Sequence, residues 1–506
     1  MNLRKAKVPA LLCVSLLTLV GCNHGSSGNT NTVPGETKVI YVDGGGDIGD
    51  YNTTSSMTAS DSNPFPYNTL ETLCNEWSAA HPGYQVKINK TSAHGDRAIL
   101  LPQLKMKNAC HIIYQNGTVI NSDLGEDYYV DLTNYLEKEN PYLDGNAKWK
   151  TVYNEAELAT TQASDGHYYY VNLEKNPVCF MYNKTILREA GLDPDELDFS
   201  TLAKFCDILS QVDSYLATKP AAEGYGTYST LYTWYQLALE TNMFSDLIKQ
   251  GDVIRQNNLV DMEELCRLYK KGIFAPEAVE GNRYYELIKL IQKLDAYKEP
   301  ASYAASQSWV AGKLAFMEAT GQHLRTYSKY SAEDLGFEWG TFSFPDISLD
   351  DYGAKQLDGV VRGTAGLATS WWISNTAVED GTTEACVDLL MYLTAPKQNN
   401  RLVGDLGGGI PLNPDENTPI ASYLEPLIEQ YNQDVNDEGR VCWTAFSPRS
   451  VLGTSFGDAF IRAMQDLDAG TSDLDSTVST LCRTIKNTIN ASCVEYDYPV
   501  DEWLAE

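Results

Sequence analysis

Apolar and polar positions along this chain recur with two periods. In NTLETLCNEWSAAHPG, Leu70, Leu73, Cys74 and Trp77 fall at i, i+3, i+4 and i+7, with Gly83 just beyond, which predicts a helix. KVIYVD (38–43) is a short β-rich apolar run ahead of it, and Tyr84, Val86 and Ile88 alternate behind it as a strand. Residues 96–108 read as helical despite Pro102, and HIIYQ (111–115) as a third strand. Strand, helix, strand, helix, strand is the order of an open α/β sheet. Ligands of such sheets sit beyond the carboxyl ends of the strands, so residues 43–50 and 115–118 become the ones to watch.

A Tyr-rich strand at 167–173 opens a second α/β region. Its helices include 200–212, with Leu202, Phe205, Cys206 and Leu209 on one face, and residues 335–345 and 359–375 read as strands again. Two amphipathic helices close the chain. One carries Phe460, Ile461, Met464 and Leu467, the other Val478, Leu481, Cys482, Ile485 and Ile489. The sequence contains no internal repeat.

The first residues follow neither period. Arg4, Lys5 and Lys7 precede an apolar run over 8–20, the pattern of a secretory signal. That run is shorter than the roughly 20 residues needed to span a bilayer. Its end, Leu19-Val20-Gly21-Cys22, resembles the bacterial lipobox, in which the small Gly21 admits the peptidase and the Cys22 thiol takes the lipid. Small polar residues then form a tether to residue 37 with a coil reach of about 20 Å. The expectation is a lipoprotein held at the outer face of a bacterial cell membrane through Cys22, with the rest of the chain soluble and extracytoplasmic.

Composition narrows the partners. The net charge is −30, and −33 once Arg4, Lys5 and Lys7 leave with the signal, which argues against nucleic acid as a partner. The mature length allows more than one core, so two lobes are expected. Of 11 cysteines, Cys13 leaves with the signal and Cys22 carries lipid; the remainder are scattered, odd in number and unlike a disulfide framework. Cys74, Cys206 and Cys482 sit on apolar helical faces and read as small core residues.

Several motifs suggest chemistry and do not carry it. GGGDIG (44–49) fits a dinucleotide fingerprint after a strand, but YNTTSSMTASDSNPFPY follows where a helix N-terminus should hold the phosphates. Asp47 would also face them. GTSFG (453–457) fits a nucleophile elbow, yet no histidine follows His323, and the motif reads as a loop leading into a helix at Asp458. The six histidines have no metal-site spacing, so neither a metal nor a cofactor is expected. Carboxylates are too many to single out a glycosidase pair.

NPVCFMYNKTILREAGLDPDEL (176–197) is different. Its apolar run into Met181-Tyr182-Asn183-Lys184, then Ile186, Leu187 and Ala190-Gly191-Leu192, resembles the signature of the family 1 extracellular solute-binding proteins of ABC importers, the maltose-binding-protein-like group. The usual Pro-x-Thr-Trp helix start is replaced by Leu197-Asp198-Phe199-Ser200, where Ser200 is expected to cap the helix. The resemblance extends in order over KVIYVD, KMKNACHIIYQNG (with Ala109-Cys110-His111 where Pro-Asp is usual), YYVDLTNYL, SWVAGKLAFMEATGQ, WGTFSFPD, GTAGLATSWWISN, EACVDLLMYLTAPKQNNRL and GGGIPLN.

The resemblance implies an α/β, two-lobed periplasmic-binding-protein-like fold of type II with the ligand cleft between lobes. The expected segments are a signal peptide (1–21), a tether (22–37), the N-terminal lobe (38–155), the C-terminal lobe (156–305), a return to the N-terminal lobe (306–370), and the C-terminal lobe with closing helices (371–506). It also implies a monomeric, non-catalytic receptor that closes on a carbohydrate and docks on the transmembrane subunits of an ABC permease. Sugars need aromatic faces beside planar hydrogen-bonding groups. By position the candidates are Asp43, Gln115, Asn116, Tyr232, Trp234, Glu318, His323, Trp371 and Trp372, with Asp96 and Arg97 behind them. Adjacent strand residues face opposite ways, so at most one of Trp371 and Trp372 is expected to reach the cleft. The alternatives are a secreted glycan hydrolase, or the same receptor fold for a polyamine or peptide.

Overall fold

The computed structural model describes residues 37–47, 51, 54–55, 58, 67–89, 93, 95–229, 234–274, 282–297, 305–330, 332–347, 361–414, 418, 420–437, 439–442 and 448–505. The expected signal peptide, lipid-attachment Cys22 and tether up to residue 36 lie outside the described residues.

Strand β1 (Lys38–Val42) pairs in parallel with β2 (Tyr84–Ile88) and β3 (Ile112–Tyr114). The connections carry helices α1 (Thr69–Ala80) and α2 (Arg97–Lys105). The 3.6-residue period of α1 is realised in full: Leu70, Leu73, Cys74 and Trp77 are all buried. Burying a large apolar side chain contributes roughly 1.5–3 kcal/mol, which outweighs the weak local preferences of a 12-residue helix.

The organising element is β4 (Tyr170–Asn183), a 14-residue strand. Its first half runs antiparallel to β9 (Ala365–Ile373), from Tyr170 opposite Trp372 to Pro177 opposite Ala365. Its second half lies between β6 (Leu314–Thr320) and β7 (Trp339–Ser343), both antiparallel to it. β5 (Gly226–Ser229) extends that half, parallel to β6, and β8 (Val361–Arg362) leads into β9. β10 (Ile410–Pro411) pairs with β4 at Lys175 and Glu174, and β11 (Val441–Cys442) pairs with β8. The sheet path runs β2-β1-β3-β9-β4-β6-β5, so among the described strands β4 is the one that belongs to both halves.

Each half has its own cores. Ile40, Val42, Leu70, Trp77, Trp371, Leu389 and Leu402 pack together in the first. In the second, the period of two sends Val178, Phe180 and Tyr182 to a core shared with Phe205 and Leu209, and Cys179 and Met181 to the opposite face with Trp309 and Leu324. Phe180 lies 5.0 Å from Phe205, and Phe342 stacks on Phe199 at 3.9 Å.

The chain changes sides more often than the expected segments allow. Within 306–370, β6 and β7 build the second half and, among the described residues, β9 is the strand that returns to the first. Within 371–506, helices Thr383–Thr394 and Pro396–Leu406 cover the first core through Leu389, Leu390 and Leu402, whereas Pro448–Asp468 and Leu474–Glu495 cover the second through Phe460 and Ile485. Apolar faces of late helices complete both sheets, and periodicity alone does not say which.

Two local expectations are also corrected. Helix Leu202–Leu216 is capped by Thr201, whose hydroxyl accepts from the Lys204 amide, and not by Ser200. GTSFG lies inside helix Pro448–Asp468 and not in a loop before it; Gly453, at φ 81°, supplies the one non-helical joint. In the 176–197 stretch, Asn183 ends β4 and caps helix Lys184–Glu189 by accepting from the Thr185 and Ile186 amides at 3.0 and 3.1 Å.

Candidate functional site

Strand registers locate the site. β4 runs parallel to β1 and β3, so the carboxyl ends of those strands point along β4 toward its crossing at Pro177–Val178. β6 runs the other way and ends at Thr320, opposite Val178, and β5 ends alongside it with Ser229 opposite Met317. Carboxyl ends from both halves therefore converge on one crossing.

On the first half, the segment after β1 folds onto β3 and β9. The Asp43 carboxylate is buried and accepts from the Gly45 amide at 3.0 Å. A Cβ on Gly44 would stand 2.8 Å from the Tyr51 backbone, and one on Gly45 2.8 Å from the Tyr114 ring, so these glycines serve close packing.

Asp47 is exposed and fastened on two sides. Its carboxylate accepts from the Tyr114 hydroxyl at 2.6 Å and from the Thr369 amide at 2.5 Å, and its own amide donates to the Thr369 hydroxyl at 3.0 Å. Thr369 sits at φ 55°, a conformation rare for a β-branched residue. Its hydroxyl donates to Glu174 on β4, whose other oxygen accepts from Tyr51 at 2.7 Å. Burial raises the Glu174 carboxyl to about 7, against the lowering effect of these two hydrogen bonds.

The two tryptophans lie on opposite faces of β9, and both are fully buried. Trp371 donates to the Gly45 carbonyl at 3.0 Å and Trp372 to the Gln115 carbonyl at 2.8 Å. Trp372 is held between Tyr129 and Tyr170, each ring 4.5 Å away. Both fix the loops that follow β1 and β3, and neither offers a face to solvent.

Gln115 is buried, its carbonyl oxygen accepting from the Asn116 amide at 3.0 Å while its amide nitrogen has no hydrogen-bond partner among the described residues. Asn116 is exposed and caps the next turn through Thr118. Asp96 and Arg97 are structural. Asp96 caps α2, and Arg97 forms a two-pronged pair with Asp123 at 2.7 and 2.6 Å.

On the second half, Glu318 is buried within β6. His323 follows at the start of helix Gly321–Tyr327, where its ring caps Thr320 at 3.1 Å, and burial lowers its pKa to about 4, leaving it neutral. The Gly321 amide donates to Asn176 at 3.1 Å, and Arg325 lies 5.2 Å over the Tyr67 ring, joining the two halves beside the crossing. Trp234 opens helix Trp234–Phe244, which packs against β8 and the Gly363 turn that leads into β9. The Gly363 amide donates to Asn242 at 2.7 Å, and a Cβ there would meet the Ala238 carbonyl at 2.7 Å. Tyr232 and the side chain of Trp234 lie outside the described residues.

The structure thus gathers Asp43, Gln115, Asn116, Trp371 and Trp372 at one edge, and Glu318 and His323 at the facing one. Sequence reasoning missed Tyr51, Tyr114, Glu174 and Thr369 and weighed Asp47 only against a phosphate. The position of Asp47 directly after Gly44-Gly45-Gly46, beyond the end of β1, was the one available signal. A concavity of about 590 Å³ lined by Ile420, Glu425, Glu429 and Asn432 lies on helix Glu425–Asn432, and none of the expected residues lines it.

A model of the family described as bacterial extracellular solute-binding protein matches residues 72–426. Solved structures share the architecture at low identity. The cyclic alpha-maltosyl-1,6-maltose binding protein from Arthrobacter globiformis is 15% identical, with 91% of this chain and 100% of that one covered at a TM-score of 0.57. The apo form of RafE from Streptococcus pneumoniae is 16% identical, with 90% and 99% covered at 0.58. A chitin oligosaccharide binding protein is 16% identical, with 84% and 95% covered at 0.53. No curated protein matches the chain. At these identities the likeness establishes the fold, a two-lobed α/β periplasmic-binding-protein-like architecture with mixed sheets.

Proposed function

The chain belongs to the bacterial extracellular solute-binding proteins, and on that premise we propose that it captures a carbohydrate, an oligosaccharide, between its lobes and delivers it to the membrane subunits of an ABC importer. Lipid on Cys22 and the tether to residue 37 keep it beside that permease. The observation carrying this reading is the convergence of strand carboxyl ends from both halves on the β4 crossing. Planar polar groups follow the carboxyl ends of the first-half strands, the Asp47 carboxylate and the Asn116 and Gln115 amides, and they are the proposed partners of sugar hydroxyls. The stacking face from the second lobe is assigned to Trp234 on its place in the sequence, and Asp43 holds the loop that presents Asp47. Similar folds whose ligands are named as maltosyl-maltose and chitin oligosaccharide support the sugar class.

A second reading, a cationic solute such as a polyamine, draws on the three carboxylates Asp43, Asp47 and Glu174 gathered at one edge. Isothermal titration of the chain from residue 37 against mono- and oligosaccharides, polyamines and peptides tests both. Micromolar or tighter binding of one glycan series without its hydrolysis supports the first reading. Binding confined to polyamines replaces it with the second, and consumption of the glycan during titration overturns both in favour of a hydrolase.

A further inference from the structure

Two cysteines distant in sequence meet under the C-terminal end of the chain. Cys266 lies on helix Met262–Lys270, which starts from a reciprocal Asp261–Glu264 cap, and Cys493 lies near the end of helix Leu474–Glu495. Both are buried in the second-lobe core, at 0% and 8% exposure. The Cys266 thiol donates to the Ile489 carbonyl at 3.9 Å, and the Lys270 ammonium donates to Asn490 at 2.7 Å. These contacts set the helices against each other along residues 266–270 and 489–493. Helical side chains lean toward the N-terminus, so the Cys493 thiol lies over the turn that holds Ile489. The Cys266 thiol bonds the carbonyl of that same turn, which brings the two cysteines together within one core.

The residues that follow roof this pair. The Tyr498 amide returns to the Cys493 carbonyl at 3.2 Å, Tyr498 and Trp503 lie 6.0 Å apart, and Trp503 is buried in the same core.

We propose that Cys266 and Cys493 are a redox-modifiable pair that closes into a disulfide on exposure to a disulfide oxidant, stapling helix Leu474–Glu495 to helix Met262–Lys270. A thiolate of one cysteine attacks a sulfur of the oxidant, expelling one thiol and leaving a mixed disulfide. The second cysteine displaces the remaining half, so two electrons pass to the oxidant and two thiols leave with the protons. Burial pushes the Cys266 thiol up, so little thiolate exists in the closed molecule. Oxidation therefore proceeds while residues 496–505 are lifted, or before they dock during folding. The staple would close the loop spanning 266–493, the situation in which a cross-link restricts the unfolded chain most.

The test is peptide mapping of the chain from residue 37 after incubation with oxidised glutathione, with and without about 1 M urea to favour local opening. The expected result is one linked species containing Cys266 and Cys493, two hydrogens lighter than its parts and split by reductant, formed faster in urea. The thermal midpoint should rise on oxidation in the parent and stay put in C266S and C493S. Recovery of both cysteines as free thiols overturns the proposal, as does stable glutathione on either one or a bond from either to Cys482. Mapping of the parent chain decides even if a serine variant fails to fold.

Discussion

The amide of Asp47 donates to the hydroxyl of Thr369 at 3.0 Å while the carboxylate of Asp47 accepts the amide of Thr369, so a loop residue and a strand residue far apart in sequence are bonded in both directions. The same hydroxyl reaches Glu174, which links the exposed loop to the interior of β4. Thr369 adopts a left-handed backbone to make these bonds. Thr369→Ser should keep them and cost under about 1 kcal/mol, whereas Thr369→Val should cost about 2–4 kcal/mol by leaving the Asp47 amide and Glu174 unsatisfied. Denaturant unfolding of the two variants checks the ordering, and equal losses would remove the hydroxyl from the account.

Glu174 should make stability fall as pH rises. Its carboxyl is raised from 4.5 to about 7, so between those values the folded protein holds a proton that the unfolded chain has lost. The penalty is absent below about 4.5 and complete above about 7, where it amounts to roughly 3 kcal/mol. Glu174→Gln should lose this slope and gain on the parent protein with increasing pH. Urea unfolding of both across pH 4.5–8 measures it, and parallel profiles would place the proton elsewhere.

Next to the crossing, Lys175 lies 3.9 Å over the Tyr431 ring and 4.0 Å from Glu157, donates to the Leu412 carbonyl at 3.1 Å, and is buried with both partners. Tyr431 donates to Glu157 at 2.6 Å. Burial lowers the Lys175 ammonium and raises the Glu157 carboxyl, each opposed by the other. Lys175→Met alone should cost about 3–5 kcal/mol, because it strands Glu157, and adding Glu157→Gln should recover much of the loss. A double-mutant cycle by equilibrium unfolding reads the coupling, and additive losses would show that the groups act independently.

Trp234→Ala should weaken the proposed glycan by at least about tenfold, the scale of one lost aromatic face. Titration of the variant decides this, and unchanged affinity would end the stacking role.

Much of the fold was legible because its signals are local. KVIYVD, the α1 period and the Asn183 turn each encode an element within a few residues. The site was less legible. Trp371 and Trp372 have the right chemistry for a sugar and the right position in the chain, but a strand inside a sheet hides both faces, and each indole N–H is spent on a loop carbonyl. Nothing near Thr369 announces a left-handed residue, since its conformation follows from Asp47, more than 300 positions earlier. The lobe of each late helix was equally hidden, because Leu389 and Ile485 carry the same periodicity and differ only in which sheet they reach.

A strand shared by two bodies behaves as an axle. β4 is held by β9 and β10 up to Pro177 and by β6 and β7 from Val178, so it cannot slide past either body without breaking a ladder. Rotation of one lobe against the other would load the few bonds around Asn176–Val178 and the matching Gly363–Ala365 with torsion. One of those bonds precedes a proline with fixed φ and no N–H. The stiffness of that short shaft would set how far and how fast the jaws swing, independently of any group that touches the cargo.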